Sequence, residues 1–313
     1  MKRTIVNILI ALMIVVGYVM AKPMVLKKGM SSANFGIEQL VNKGKVKYLF
    51  IGSSMFRQSM QLDDVIKDDA YVLAYNGNQP YMIYKILDYL LMKKVEIENL
   101  YCDMYLYAIM QEPDIKDERI FLDTDMSLQF DILNEVRDYG KGGFNTYYDG
   151  LVSSNNEMLV TWPISYKLIN SRYDRGASVP SNKKGKAAEE LEEEKLELST
   201  KVFNERQVYY IREIVKLARQ NDINLLFIET PKYKAVTERT NYPELMDGYA
   251  QLLKDSKIIM DERTYKKLNK KDSTIVTYNY NDDNPDFFSD VLHLSGEGRG
   301  VFSKDLHKIL GMF

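Results

Sequence analysis

The chain has 313 residues, and its 42 Lys and Arg nearly balance its 44 Asp and Glu, for a formal net charge of -2 at pH 7. This balance argues against nucleic acid as the main partner, because phosphate binding needs a net basic face. The single cysteine, Cys102, and the two histidines, His293 and His307, exclude an intramolecular disulfide, a cysteine-based metal cluster and a three-histidine zinc site.

The N-terminus has the character of an export segment. Residues 1–21 begin with the basic pair Lys2 and Arg3 and continue as an uncharged, largely apolar stretch. This pattern is typical of a secretory signal peptide or of a single membrane anchor, and both alternatives stay open. Either one places the rest of the chain outside the cytoplasm, membrane-anchored or secreted. Residues 22–44 then look like a stalk or entry segment.

Strands and helices alternate along the next part of the chain. Strand formers dominate the runs 45–52, 70–76 and 98–107, and helical spacing occupies 53–66 and 80–94. Cys102 lies in the apolar third run, so we expect it to be buried. Strand, helix, strand, helix, strand is the pattern of a parallel sheet with crossover helices.

The alternation breaks at residues 112–200, which are polar and irregular. We interpret them as an insertion, and as a candidate cap that brings aromatic groups such as Tyr147, Tyr148 and Trp162 to a site. The charged run 183–198 inside it predicts a solvated helix or a flexible arm. The pattern then resumes with helices at 202–223, 242–255 and 295–310 and strands at 224–231 and 257–264. The expected fold is an α/β three-layer sandwich over residues 45–313, with a parallel sheet of about five strands.

The end of the first predicted strand carries a candidate nucleophile. Ser53 and Ser54 follow Gly52, between a strand and the start of a helix. A serine in this place has backbone N–H groups beside it and the positive end of a helix behind it, which suits an activated hydroxyl. Serine is also a good helix N-cap, so a purely structural role for either serine is the alternative.

A second cluster stands near the C-terminus. Asp290 and His293 are three residues apart and precede the last predicted helix. A carboxylate at this spacing can hold one imidazole nitrogen and leave the other free as a base. A surface histidine near an N-cap is the alternative. His307, inside the last helix, is expected to be exposed or half-buried.

Together these two segments resemble the terminal motifs of the SGNH (GDSL-type) hydrolase and acyltransferase superfamily, a Gly-x-Ser after the first strand and an Asp-x-x-His before the last helix. The resemblance implies a flavodoxin-like sandwich with Ser54 as nucleophile, His293 as base and Asp290 as the residue that orients it. It also implies an oxyanion hole formed by the backbone N–H groups of Ser54 and Gly77.

The chain departs from the family pattern at two points. Ser53 stands where the family usually has aspartate, and no Gly-x-Asn follows the third strand in residues 101–110. Asn76 or Asn78 is a candidate for the missing amide donor. Arg57, three residues beyond Ser54, is a candidate contact for an anionic substrate group, with a solvent-facing helix position as the alternative.

The divergence is similar to that of the extracytoplasmic SGNH-like proteins that act in polysaccharide O-acetylation or in D-alanyl transfer to teichoic acids. The resemblance implies acyl-ester transfer or hydrolysis on a cell-envelope glycan, with a membrane acyltransferase as a candidate partner. We expect no cofactor and no metal. The other hypothesis is a non-catalytic envelope protein of the same fold that binds glycan or scaffolds an acylation complex.

Overall fold

The structure is a computed structural model, and it describes residues 3–14, 17, 36–62, 69–117, 120, 124–139, 173–174, 177–178, 184–194, 202–269 and 274–312. The strands are β1 (Lys45–Gly52), β2 (Ala70–Ala74), β3 (Glu96–Asp103), β4 (Tyr173–Asp174), β5 (Ala177–Ser178), β6 (Asn224–Ile228), β7 (Lys257–Asp261) and β8 (Ile275–Tyr278). Six of them form the main sheet in the order β2-β1-β3-β6-β7-β8, with every pair parallel. This confirms the predicted α/β class with a flavodoxin-like strand order.

Helices cover both faces of this sheet. They are α1 (Gly36–Lys43), α2 (Ser54–Ser59), α3 (Pro80–Met92), α4 (Leu106–Met110), α5 (Met126–Arg137), α6 (Ala188–Glu193), α7 (Glu205–Gln220), α8 (Lys234–Arg239), α9 (Tyr242–Leu252), α10 (Glu262–Lys267) and α11 (Gly296–Ile309). On one face α3, α7 and α9 pack against buried strand side chains such as Cys102 and Phe227. On the other face α2 and α11 pack together over an aromatic layer that includes Phe50, Phe56 and Phe302.

The sheet has six strands, one more than the approximate number that the sequence predicts, because β8 continues it beyond β7. Two predictions about individual residues and boundaries were wrong. The predicted strand 257–264 ends at Asp261, whose side chain accepts a hydrogen bond from the Arg263 N–H and so begins α10. His307 is completely buried, because α11 packs along a stripe that also contains Phe302 and Leu306.

The N-terminal segments divide between core and surface. Residues 36–43, which the sequence assigned to the stalk, form α1, and Ile37 and Leu40 on this helix are buried in the core. Residues 3–14 are helical and their apolar side chains are exposed. Within the described part of the chain, no helix has both the length and the apolar character that crossing a bilayer requires.

Candidate active site

The two serines after β1 have different roles. Ser53 is the N-cap of α2: its Oγ accepts a hydrogen bond from the Met55 N–H at 3.1 Å, and its side chain is fully buried. Ser54 is the first helical residue and is partly exposed. Its Oγ lies 3.0 Å from Nε2 of His293. The structural alternative therefore applies to Ser53, and Ser54 is the serine that faces the histidine.

The other ring nitrogen of His293 is held by Asp290. Both carboxylate oxygens lie 2.9 Å from Nδ1. Since a carboxylate only accepts, Nδ1 carries the hydrogen, and Nε2 of the neutral ring is left to accept from the Ser54 hydroxyl. The structure thus brings Ser54, His293 and Asp290 into one hydrogen-bonded chain.

Asp290 is arranged to stay ionised. Its Oδ1 also accepts from the backbone N–H groups of Leu292 and His293, each at 2.9 Å. Burial raises the pKa of the Asp290 carboxyl. The hydrogen bond from the His293 ring, the positive charge of that ring when it is protonated, and these two N–H groups outweigh burial and lower the pKa below its usual range. The carboxylate therefore holds the ring at neutral pH.

The loop that carries Asp290 and His293 is fixed from several sides. Phe288 and Leu294 form an antiparallel bridge across it, and the Ser289 N–H donates to the His293 carbonyl at 2.9 Å. From the segment after β6, the Tyr233 N–H donates to the Val291 carbonyl at 3.0 Å. These bonds set the position of the histidine independently of any ligand.

The predicted oxyanion donors lie in the turns after β1 and β2. Among the described residues, no acceptor takes the backbone N–H of Ser54 or of Gly77. Gly77 has a φ of +58°, a left-handed conformation that favours glycine. Asn78 already makes two hydrogen bonds within the protein. Its backbone N–H donates to the Tyr75 carbonyl at 3.2 Å, and its side-chain amide donates to the Gly52 carbonyl at 3.1 Å. Its role as a further donor stays a prediction.

Arg57 bridges two of these segments. One turn beyond Ser54 on α2, its guanidinium donates to Oδ1 of Asn76, in the turn that contains Gly77. The Asn76 N–H in turn donates to the Asp117 carboxylate at 2.7 Å. Arg57 therefore ties α2 to the Gly77 turn, and its contact with an anionic substrate group stays a prediction.

Asp103, at the end of β3, contacts the Ser54 turn and was not among the predicted site residues. Its Oδ2 accepts from both the backbone N–H and the hydroxyl of Ser53, at 2.8 and 2.5 Å. Burial raises the pKa of this carboxyl to about 6, although the hydrogen bonds from Ser53 and the charge of Lys232 oppose the rise. The available signal was an aspartate directly after the buried residues 100–102, at the end of β3.

A tyrosine stands beside these carboxylates. Tyr105 follows Asp103 by two residues and is partly buried. Burial, together with the charges of Asp103 and Asp290, raises the pKa of its hydroxyl to about 12. At neutral pH the hydroxyl therefore remains a neutral hydrogen-bond donor that senses the charges of Asp103 and Asp290.

Described parts of the insertion contact three elements around Ser54. Residues 112–117 pack on the Gly77 turn, where the Asp114 N–H donates to Gln79 Oε1 at 2.8 Å. The short strand β5 lies against α2 and β2.

Residues 184–194 dock beside the histidine loop, where the Lys186 N–H donates to the Phe288 carbonyl at 2.9 Å. The solvated helix expected here is α6, whose Glu189, Glu190 and Glu193 are exposed, while its Leu191 is fully buried and anchors it to the domain. The proposed sugar-contacting Tyr147, Tyr148 and Trp162 lie outside the described residues.

Other polar clusters do not contribute to this site. Asp282 and Asp283, an acidic pair in the sequence, are both bound by Arg263, at 2.9 and 2.8 Å. Within the described residues, no group of three or more His, Cys, Asp or Glu side chains could hold a metal ion. A cavity of about 760 Å³ lies between α7 and α9, by the N-terminal ends of β7 and β8. Because Ser54 follows the C-terminal end of β1, this cavity lies at the opposite end of the parallel strands from Ser54.

Comparisons with known proteins add little to this geometry. No protein-family model matches the chain, and no curated protein shows a significant sequence match. Among solved structures, the chain is similar to a presumed acylhydrolase from Bacteroides fragilis, with 11% identity, 86% of this chain and 88% of that chain covered, and a TM-score of 0.35. A similarity at this TM-score carries no argument about function. The functional interpretation therefore rests on the arrangement of Ser54, His293 and Asp290.

Proposed function

We propose that the protein is a serine-dependent enzyme of the SGNH type that transfers or hydrolyses acyl esters on a cell-envelope polysaccharide. The observation that carries this proposal is the continuous chain from Ser54 Oγ to His293 Nε2 and from His293 Nδ1 to the Asp290 carboxylate. This is the constellation that activates a serine in nucleophilic acyl transfer. It stands at the carboxyl end of β1, beside the switch point where parallel α/β sheets bind ligands.

In the proposed reaction Ser54 Oγ attacks the acyl carbonyl carbon while His293 Nε2 takes the hydroxyl proton. The carbonyl electron pair moves onto oxygen, where the N–H groups of Ser54 and Gly77 stabilise the charge. The intermediate collapses, the bond to the leaving oxygen breaks, and His293 returns the proton to that oxygen. Water or a sugar hydroxyl, deprotonated by His293, then attacks the acyl-enzyme and releases Ser54, which regains its proton. Asp290 holds the imidazolium throughout and does not change its own protonation state.

The envelope assignment is supported by the N-terminus. A basic pair followed by an apolar segment is the pattern of an exported or anchored chain, and the apolar side chains of residues 3–14 are exposed and not packed into the domain. We propose that residues 1–21 direct the domain outside the cytoplasm. There it would act on a glycan, with a multi-spanning membrane acyltransferase as the donor of acyl groups if the reaction is transfer.

A fluorophosphonate probe tests the nucleophile. The parent protein should be labelled once, at Ser54, and Ser54→Ala should not be labelled. Ser289→Ala is the matched control, because its hydroxyl also lies near His293 but donates to backbone carbonyls. Two results would contradict the enzyme proposal: a folded parent protein that is not labelled, or a Ser54→Ala variant that is labelled as well as the parent. Either result would favour the non-catalytic glycan-binding or scaffold hypothesis.

The substrate and compartment need a cellular measurement. A null strain carrying Ser54→Ala should show the same change in ester-linked acyl groups on its envelope polysaccharide as the null strain itself. A chain without residues 1–21 should remain in the cytoplasm and fail to restore those groups. Acyl content that is unchanged in the null strain would contradict the envelope substrate while leaving the labelling result intact.

A further inference from the structure

A buried carboxylate lies directly behind the proposed nucleophile. Asp103, 5% exposed at the end of β3, is contacted by the two donors of Ser53, and both converge on the same oxygen, Oδ2. The Ser53 Oγ accepts in turn from the Met55 N–H at 3.1 Å. A chain of hydrogen bonds therefore runs from Asp103 through Ser53 to the backbone on the far side of Ser54.

This chain fixes the peptide groups around Ser54. The N–H before it, on Ser53, is held by Asp103, and the N–H after it, on Met55, is held by the Ser53 hydroxyl. The carbonyl between Ser53 and Ser54 accepts from the Arg57 N–H at 3.2 Å. The Ser54 N–H stands between these anchored groups and, among the described residues, meets no acceptor. Its direction is thus set by its neighbours before any substrate arrives.

We propose that Asp103 is a positioning residue for Ser54, which acts through Ser53 to hold the Ser54 hydroxyl on His293 and the Ser54 N–H toward the acyl oxygen. This inference rests on the proposed function and names a residue that the triad does not include. A charged acceptor makes stronger hydrogen bonds than a neutral one, so the ionised carboxylate holds this turn more firmly than an amide would. A small displacement of a nucleophile can cost about 100-fold in rate, which makes such anchoring consequential.

The test is saturation kinetics of fluorophosphonate labelling, which separates the maximal inactivation rate from the half-saturating concentration. Asp103→Asn and Ser53→Ala should each lower the maximal rate by about 10- to 100-fold and leave the half-saturating concentration within about twofold. Because both changes break the same chain, the double variant should react no more than about twofold more slowly than Asp103→Asn. A substitution that merely disturbed the packing around the site would change the half-saturating concentration as well as the maximal rate.

Asp261→Asn is the matched control. Asp261 is also a buried aspartate at the end of a parallel strand, with a pKa that burial raises to about 7, but it caps α10 and does not touch the Ser54 turn. It should be labelled at the parent rate. A folded Asp103→Asn with a maximal rate within twofold of the parent overturns the positioning role.

If Asp103→Asn does not fold, Ser53→Ala decides the question, because it removes only a hydroxyl; an unchanged maximal rate then refutes the proposal. A parent that is not labelled at Ser54 is a different failure. That result removes the proposed function, and the positioning role falls with it. Labelling of the parent together with unaffected variants removes the positioning role alone.

Discussion

Gly52 and Asp103 lie side by side at the ends of two neighbouring parallel strands, so close that a Cβ on residue 52 would come within 2.5 Å of the Asp103 carboxyl carbon. The register places them together, since the preceding residues Ile51 and Cys102 are paired between β1 and β3. Only glycine leaves room at position 52 for the carboxylate that binds Ser53. Glycine is therefore required at position 52 by a contact with the neighbouring strand, because its φ is not positive and its own turn does not demand it.

Gly52→Ala should force the Asp103 side chain or the Ser54 turn to move. We expect a loss of about 1–3 kcal/mol in the free energy of unfolding and slower probe labelling, since overpacking costs this much in well-packed interiors. Urea unfolding and labelling kinetics measure the two effects. Gly300→Ala is the control: a Cβ there meets its nearest atom only at 4.0 Å, so alanine in this helix should stabilise the fold and leave labelling unchanged.

Gly77→Ala tests the second oxyanion donor. The residue has a φ of +58°, and a Cβ would lie 2.9 Å from Cβ of Lys116. The strain and the clash should shift the turn, lowering stability by about 1–2 kcal/mol and the labelling rate by at least about tenfold.

Gly44→Ala provides a matched comparison for Gly77→Ala. Gly44 also has a positive φ, +73°, but a Cβ there meets nothing within 4 Å, and the residue stands at the opposite end of β1. It should show a similar loss of stability with parent-like labelling. Equal labelling rates for both variants would contradict the role of Gly77.

Asp290→Asn should leave the fold nearly intact and slow the reaction strongly. The asparagine can keep a hydrogen bond to the His293 ring but no longer requires the hydrogen to be on Nδ1, so the base is held in the wrong tautomer. The protease triad with the same change loses about 10⁴-fold, which sets the order of magnitude expected for labelling here. Retention of more than a tenth of the parent rate would argue against this role.

The stability of the parent should depend on pH through Asp103. Its pKa is about 6 in the folded protein, above the ordinary 3.8, so the folded state holds this proton more tightly than the unfolded state does. Below about pH 4 both states are protonated and there is no penalty. As pH rises from 4 through 6 the unfolded state loses its proton first, and the fold is destabilised by up to about 3 kcal/mol.

Asp103→Asn removes this titration from the range between pH 4 and pH 7. The free energy of unfolding of the variant, relative to the parent, should therefore rise by up to about 3 kcal/mol between pH 4 and pH 7. Urea unfolding of the two proteins at a series of pH values measures this difference. A difference that does not change with pH would mean that the carboxyl is not buried as the structure describes.

The local pattern predicted the first half of the fold well and its far edge poorly. β1 begins and ends where the predicted strand 45–52 does, because it lies between two neighbouring strands and its residues 48–52 are all buried. β8 was missed because it is a four-residue edge strand with exposed Val276 and Thr277, which gives neither length nor alternation. Periodicity detects central strands more reliably than short edge strands.

The residues of the candidate site were also predicted only where their signal is local in the sequence. Ser54 and the Asp290–His293 spacing are local patterns, so the sequence could single them out, and the structure brings them together. Asp103 is recognisable only from the strand register that sets it beside Gly52 and Ser53. No pattern within one segment reports such a contact. The burial of His307 was missed for a similar reason, since it depends on what packs against α11.

The 239 positions that separate Ser54 from His293 have a consequence for the newly made chain. The serine emerges from the ribosome early, whereas the loop that carries His293 is made much later, together with α11, which Ser303 links to the end of α2. A chain that stops before this loop would carry Ser54 without the histidine that binds its hydroxyl. The hydrogen-bonded chain from Ser54 to Asp290 can therefore form only after the ribosome has passed the histidine loop, and a partly made chain that lacks this loop should not react with a serine probe.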